Sequence, residues 1–187
     1  MKMMLRDADI HELGMQGVIS PYSNKLLNPV SYDVTLGNTF RKMSNPFMKA
    51  TPYDSDPTPF FESKTEIEDY KYYVLAPGDA VLATTKESVR LPNNIAAELM
   101  GKSTIGRWFV SIHVTAGLID PGFEGEITLE IVNLGKCSVR LNPGMRIGQL
   151  VFHKLYNDVN RPYGHADLGS HYQKQNEATL PWNKRTL

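Results

Sequence analysis

Residues 113–133 read HVTAGLIDPGFEGEITLEIVN, a loop, a tight turn and a strand in one stretch. Asp120-Pro121-Gly122 signals the turn, because proline pre-sets φ at a corner and glycine tolerates a positive φ. Beyond it Ile127, Leu129 and Ile131 alternate with Glu126, Thr128, Glu130 and Val132. That period of two places the first set on one face of a strand and the second set on the other. Two readings of Glu130 stand. On a solvated face it is an ordinary surface carboxylate. If Val132 marks a second covered face in mid-sheet, burial raises the Glu130 pKa towards that of a general base.

The same rhythm continues outward. Candidate strands are SYDVTL (31–36), YKYYVL (70–75), AVLATT (80–85), IAAELM (95–100), FVSIHVT (109–115), CSVRL (137–141) and RIGQLVFHKL (146–155). Ala76-Pro77-Gly78-Asp79, Leu91-Pro92-Asn93 and Asn142-Pro143-Gly144 punctuate them as turns. Many short strands with Pro/Gly turns predict an all-β barrel or sandwich. Residues 7–16 predict a short helix, with Asp7 as its cap and Gly17 as its stop, and STIGRW (103–108) predicts one helical turn. The whole, 1–187, is read as one domain. Residues 42–69 form an aperiodic variable loop, either functional or mobile. Residues 156–187 form a polar C-terminal arm. It is either a frayed terminus or a cover for a ligand, with Tyr163, His171, Tyr172 and Gln175 offering stacking and hydrogen-bonding groups.

Composition narrows the function classes. Twenty basic and twenty acidic side chains cancel, so no global field draws nucleic acid or an anionic membrane. No apolar run approaches the roughly eighteen residues of a membrane span, and the N-terminus lacks the apolar core of a signal peptide. The single cysteine, Cys137, suits a reducing cytoplasm; it alternates with Val139 and Leu141 and reads as packed. Trp108 and Phe109 read as core. Gly101-Lys102-Ser103-Thr104 imitates the end of a phosphate-binding loop, but that motif needs a glycine at position 96, which is Ala96. The tetrapeptide is thus either an ordinary turn with solvated cations or a phosphate contact of another kind, with Lys102 and Arg107 supplying charge and Ser103 and Thr104 donors. The H-x-E and P-C-x-x-C elements of zinc deaminases, an H-E-x-x-H helix and a G-x-S-x-G elbow are all absent from the sequence.

Taken together, these segments resemble the deoxycytidine triphosphate (dCTP) deaminase family, within the trimeric dUTPase-like superfamily. The likeness runs in order from SYDVTLGNTFR (31–41) through GKSTIGRW (101–108), HVTAGLIDPGFEGEITLEIVN and NPGMRIGQLVF (142–152) to RPYGHADLGSHYQKQ (161–175). It implies a mainly β fold: a distorted β-barrel of the dUTPase-like type, with a short N-terminal helix and an extended C-terminal arm. It also implies a homotrimer with active sites between subunits. A glutamate at 130 is similar to the deaminase branch, where that position is catalytic. Plain dUTPases carry an aliphatic residue there, usually a tyrosine at 123, and a terminal glycine-rich motif that this tail lacks. The implied activity is zinc-independent hydrolysis of dCTP to dUTP and ammonia, in cytoplasmic pyrimidine deoxynucleotide metabolism, without nucleic acid or membrane partners.

The resemblance also implies roles. Glu130 would be the general base, with Ser103 and Arg107 orienting the water and the carboxylate. Backbone groups at Thr115 and Ala116 would read the cytosine edge, Phe123 would pack on the deoxyribose, and Asp120 would contact the sugar. Lys102, Ser103, Thr104, Gln149, Tyr163, His171 and Gln175 would meet the triphosphate, with Arg107, Thr128 and Leu129 completing the substrate-binding set. Mg²⁺ would bind through triphosphate oxygens and water rather than protein ligands. Lys102 departs from the usual arginine and His171 from the usual lysine, and the glycine that commonly follows the tail glutamine is replaced by Asn176. Gly117-Leu118 and Gln149 are more similar to bifunctional members that continue to dUMP and pyrophosphate, where the aspartate matching Asp120 helps activate water. One or two activities remain open, as do inhibition by dTTP, a dUTPase alone and a non-catalytic nucleotide-binding regulator.

Overall fold

The computed structural model describes residues 3–44, 48–68 and 71–183. In chain order the regular elements are β1 (Met3–Met4), α1 (Asp7–Met15), β2 (Ile19–Ser20), β3 (Tyr32–Lys42), β4 (Thr65–Glu66), β5 (Tyr73–Leu75), β6 (Ala80–Arg90) and β7 (Ile95–Gly101). They continue as α2 (Ser103–Gly106), β8 (Val110–Ser111), β9 (Leu118–Ile119), β10 (Glu124–Asn133), β11 (Val139–Leu141) and β12 (Arg146–Lys154). The main sheet runs β8-β10-β6-β3-β12-β7-β9, with β1 on β12, β2 on β6 and β4 on β3. Strands β5 and β11 form a separate pair. All the pairings are antiparallel. Bulges interrupt β10 on β6, β12 on β3 and β3 on β6. Such insertions bend the bulged strand and deepen its twist, and here they accompany the curling of the sheet into a half-barrel.

The alternation in β10 carries through into the structure, with burial switching at every residue. Leu129 faces Ala83 across the ladder and Ile131 faces Val81. Their face joins Val34, Leu36, Phe40, Ile147, Leu150 and Phe152 in the core. Each fully buried aliphatic side chain contributes about 1.5–3 kcal/mol, so this stripe pins the register that aims Glu130 the other way.

Some expectations are corrected. Helix α1 starts after Arg6 rather than at an Asp7 cap: the Arg6 backbone N–H donates to Asp9 Oδ2, and Gly17, at φ +78°, ends the helix as expected. The strand predicted over 109–115 shrinks to Val110–Ser111, because Phe109 sits at φ +57° and the chain after Ile112 peels into a loop. Trp108 and Phe109 are 61% and 66% exposed rather than core, since the turn closing α2 (Phe109 N–H to Gly106 C=O, 2.9 Å) leaves them on the surface. Cys137 is also exposed rather than packed. The Asn133 amide donates to the Leu75 and Cys137 carbonyls and accepts from Gly135 N–H, which folds 133–137 into a turn and delays the strand to Val139. The strand predicted from Tyr70 begins at Tyr73, and Tyr70 itself lies outside the described residues.

Of the 42–69 segment, residues 45–47 and 69 lie outside the described residues; the rest holds β4 and a short 3-10 turn that buries Phe60. The arm, described as far as residue 183, docks on the barrel. Its backbone runs beside the start of β10, Lys174 N–H donating to Glu124 C=O and Glu126 N–H to Gln175 C=O. This approach explains Gly122 and Gly125. A Cβ on Gly122 would lie 2.6 Å from Pro162 Cβ, and one on Gly125 would lie 2.8 Å from Gln175 O, both at positive φ.

Candidate functional site

A cleft of about 400 Å³ opens where β10 meets the segment around β9 and the arm folds across. That size suits a small molecule. Its floor is Thr128 and Glu130 of β10, with Leu82 of β6; Ala116, Leu118, Ile119, Asp120 and Phe123 form one side. Tyr163, Tyr172, Gln175 and residues 179–181 supply the other.

Glu130 is half-buried, on the strand face opposite Leu129 and Ile131. Its Oε2 accepts a hydrogen bond from Val114 N–H at 3.1 Å, tying the 113–117 loop to the carboxylate. Phe123 is buried and meets the edge of Tyr163, with ring centroids 5.7 Å apart. The Tyr163 hydroxyl accepts from Tyr172 N–H at 3.0 Å, and burial pushes its pKa up. Gln175 donates to Glu126 C=O at 2.7 Å and accepts from Thr128 Oγ1 at 3.3 Å. Burial likewise raises the Glu126 pKa. The Leu129 side chain points into the core, so only its backbone can serve the cleft.

The expected site residues thus fall into groups. Ala116, Asp120, Phe123, Thr128, Glu130, Tyr163 and Gln175 share the cleft. Thr115 is exposed on the adjoining loop. His171 stacks flat on Trp182, centroids 3.7 Å apart and rings 9° from parallel, in a separate hollow beside residues 56–58. Lys102, Ser103, Thr104, Arg107 and Gln149 stand apart from the cleft lining within one chain. Ser103, Thr104 and Arg107 are exposed on and just after α2.

Lys102 and Gln149 belong to a second polar cluster at the β3–β12–β7 seam. Lys102 Nζ lies 2.6 Å from Asp33 Oδ1 and Arg146 Nη1 lies 3.2 Å from Asp33 Oδ2. Gln149 donates to Gly101 C=O and accepts from Ser31 Oγ. Sequence reasoning missed Asp33 and Arg146; Asp33 sits in a run, 32–36, that the structure buries throughout. Among the described residues no group of three or more His, Cys, Asp or Glu is arranged to hold a metal ion, and no helix is long and apolar enough to cross a membrane.

A mainly β half-barrel with a carboxylate-bearing cleft under a C-terminal arm is the kind of fold that the motifs between residues 31 and 175 implied. The family profile described as dCTP deaminase-like matches residues 4–155, and the chain belongs to that family. It is 42% identical over 178 residues to the dCTP deaminase, dUMP-forming, of Methanosphaera stadtmanae, covering 92% of this chain and 89% of that one. It is also 42% identical over 178 residues to the dCTP deaminase of Haloarcula marismortui, covering 92% and 91%. The fold is similar to that of the crystal structure of 2′-deoxycytidine 5′-triphosphate deaminase from Agrobacterium tumefaciens, with a TM-score of 0.66 at 22% identity. That match covers 82% of this chain and 48% of the solved one, so the chain spans about half the length of that structure.

Proposed function

We propose that the chain hydrolyses dCTP to dUTP and ammonia and continues to dUMP and pyrophosphate. The placement of Glu130 carries the reading: a half-buried carboxylate, anchored by Val114, on the floor of a cleft of nucleoside size. Glu130 takes a proton from water as the oxygen adds to C4 of the cytosine ring, then passes protons to N3 and to the departing amine. The C–N bond breaks as the carbonyl forms, so ammonia leaves without any change of oxidation state. Phe123 holds the deoxyribose, and the loop at Thr115 and Ala116 reads the base edge. Support for the second step comes from the names of similar proteins, several of which are described as dUMP-forming, and from Asp120 in the same cleft. Asp120 then orients the water that opens the phosphate chain.

Among the described residues the cleft lining holds two carboxylates, Asp120 and Glu130, and neither lysine nor arginine. A triphosphate cannot be held there without cations. We therefore assign Lys102, Ser103, Thr104, Arg107 and Gln149 to the site of a neighbouring copy, in a homotrimer whose active sites lie between subunits. Exposed Met100, Trp108, Phe109, Val114 and Leu118, on and around the same segments, supply apolar surface for such an interface. Mg²⁺ would enter with the triphosphate and offset part of its negative charge, with few direct protein ligands.

The test incubates purified protein with dCTP or dUTP and Mg²⁺, resolves the nucleotides and assays ammonia and pyrophosphate. Ammonia and dUMP from dCTP support both steps, and ammonia with dUTP supports the first alone. Pyrophosphate from dUTP without ammonia from dCTP would replace the proposal with a dUTPase. Tight dCTP binding without turnover would replace it with a nucleotide-binding regulator.

A further inference from the structure

Asp33 is fully buried, yet it lies on β3 directly opposite Gln149 of β12, which in turn lies opposite Met100 of β7. Three groups converge on its carboxylate. Lys102 Nζ and the Asn28 amide donate to Oδ1 at 2.6 and 2.8 Å, and Arg146 donates to Oδ2 at 3.2 Å. The second Arg146 nitrogen donates to Lys25 C=O at 3.0 Å, which fixes the guanidinium plane. Both cations keep contact with water, with side chains 24% and 52% exposed. One buried carboxylate therefore holds two cations at the surface, and the trio has a net positive charge. A buried pair costs desolvation and is weak evidence of a purely stabilising role. Its clearer effect is to restrict two long, flexible side chains to one geometry.

We propose that Asp33 is a positioning residue that presents Lys102 and Arg146 together as a cationic cradle for the nucleotide's phosphate chain, with Arg146 a further anion contact. The proposal rests on the reading that Lys102 meets the triphosphate. Charge alone and positioning predict opposite signs. Asp33→Asn removes a negative charge, so a simple field effect tightens anion binding. Positioning loosens it, because both cations lose their anchor and relax into water.

The experiment uses the full chain in its native assembly. It compares wild type, Asp33→Asn, Arg146→Gln and Arg146→Lys by dCTP kinetics and by calorimetric binding of inorganic tripolyphosphate. Asp33→Asn and Arg146→Gln are expected to raise KM for dCTP about tenfold and weaken tripolyphosphate binding in parallel, with kcat within about twofold. Arg146→Lys is expected to recover most of that loss. Unchanged or tighter tripolyphosphate binding by Asp33→Asn overturns the proposal, as does a lowered melting temperature with KM unmoved. If Asp33→Asn does not fold, Arg146→Gln decides: unchanged KM and unchanged tripolyphosphate binding overturn the cradle. If the wild type binds tripolyphosphate and the variants lose it, but dCTP is never turned over, the deaminase reading fails while the cradle stands.

Discussion

Replacing Glu130 by glutamine separates the chemistry of this carboxylate from its structural duty. The side chain does two things: it lines the cleft, and its Oε2 accepts the Val114 N–H at 3.1 Å. Glutamine is nearly isosteric and retains a carbonyl oxygen for Val114, so the 113–117 loop stays in place and dCTP still binds. What is lost is the proton acceptor. General-base catalysis is worth about 10²–10⁴ in rate, or about 3–5.5 kcal/mol of transition-state stabilisation. Glu130→Gln is therefore expected to lower kcat for ammonia release at least a hundredfold, with dCTP affinity within about threefold of wild type. Glu130→Ala removes the base and the anchor together. Because a hydrogen bond to a charged group contributes about 1.5 kcal/mol at its low end, it is expected to weaken dCTP binding about tenfold as well. Single-turnover ammonia release with calorimetric dCTP binding reads both effects. A Glu130→Gln protein that releases ammonia at a third of the wild-type rate or faster would refute the assignment of Glu130 as base.

Other perturbations probe separate parts of the molecule. Asp120→Asn is expected to leave ammonia release within about tenfold of wild type while stopping the second step, so that dUTP accumulates from dCTP by chromatography; continued dUMP release would remove Asp120 from that step. Leu129→Ala opens a cavity behind the cleft floor and is expected to cost about 2–5 kcal/mol, lowering the melting temperature by about 5–15 °C in calorimetry. The arm should be pH-sensitive, because Glu177 is held below the ordinary carboxylate range chiefly by Lys64 (2.9 Å) and also by Arg41 (3.1 Å), with burial opposing. A pKa depressed on docking means that this anchorage is complete above about pH 4.3 and lost as pH falls through the docked value. Proteolysis of the arm by an acid-active protease is expected to accelerate in that window, and Glu177→Gln should flatten the profile.

Much of this arrangement was legible in the residues, but unevenly. The period-two pattern of 126–133 announced β10 because alternation over eight residues leaves few other ways to bury Ile127, Leu129 and Ile131. Strands β2 and β9, two residues each, are too short to show any period and escaped notice. Trp108 and Phe109 were misread because hydrophobicity demands cover without naming what supplies it, and nothing local announces a positive φ at Phe109. Asp33 was hidden by the alternation rule itself, which treats a carboxylate between apolar neighbours as the wet face; in β3 both faces from Tyr32 to Leu36 are covered. The glycines at 122 and 125 were plain to see, but only the returning arm explains why a side chain is barred there. The separation of Lys102 and Arg107 from Asp120 and Glu130 was invisible along the chain, since it depends on which strand ends curl towards one another.

The arm also splits the cleft between two parts of the chain. Among the described residues every strand of the sheet, Glu130's included, lies before residue 155. Tyr163, Tyr172, Gln175 and the wall at 179–181 come afterwards. The sheet's strand pairings are made without the roof, and the close approach of Gln175 to Gly125 rests on a surface that the sheet supplies. A chain cut after β12 retains Glu130 but lacks one side of the cleft, so the enclosure around the carboxylate is divided between the sheet and the segment that follows it.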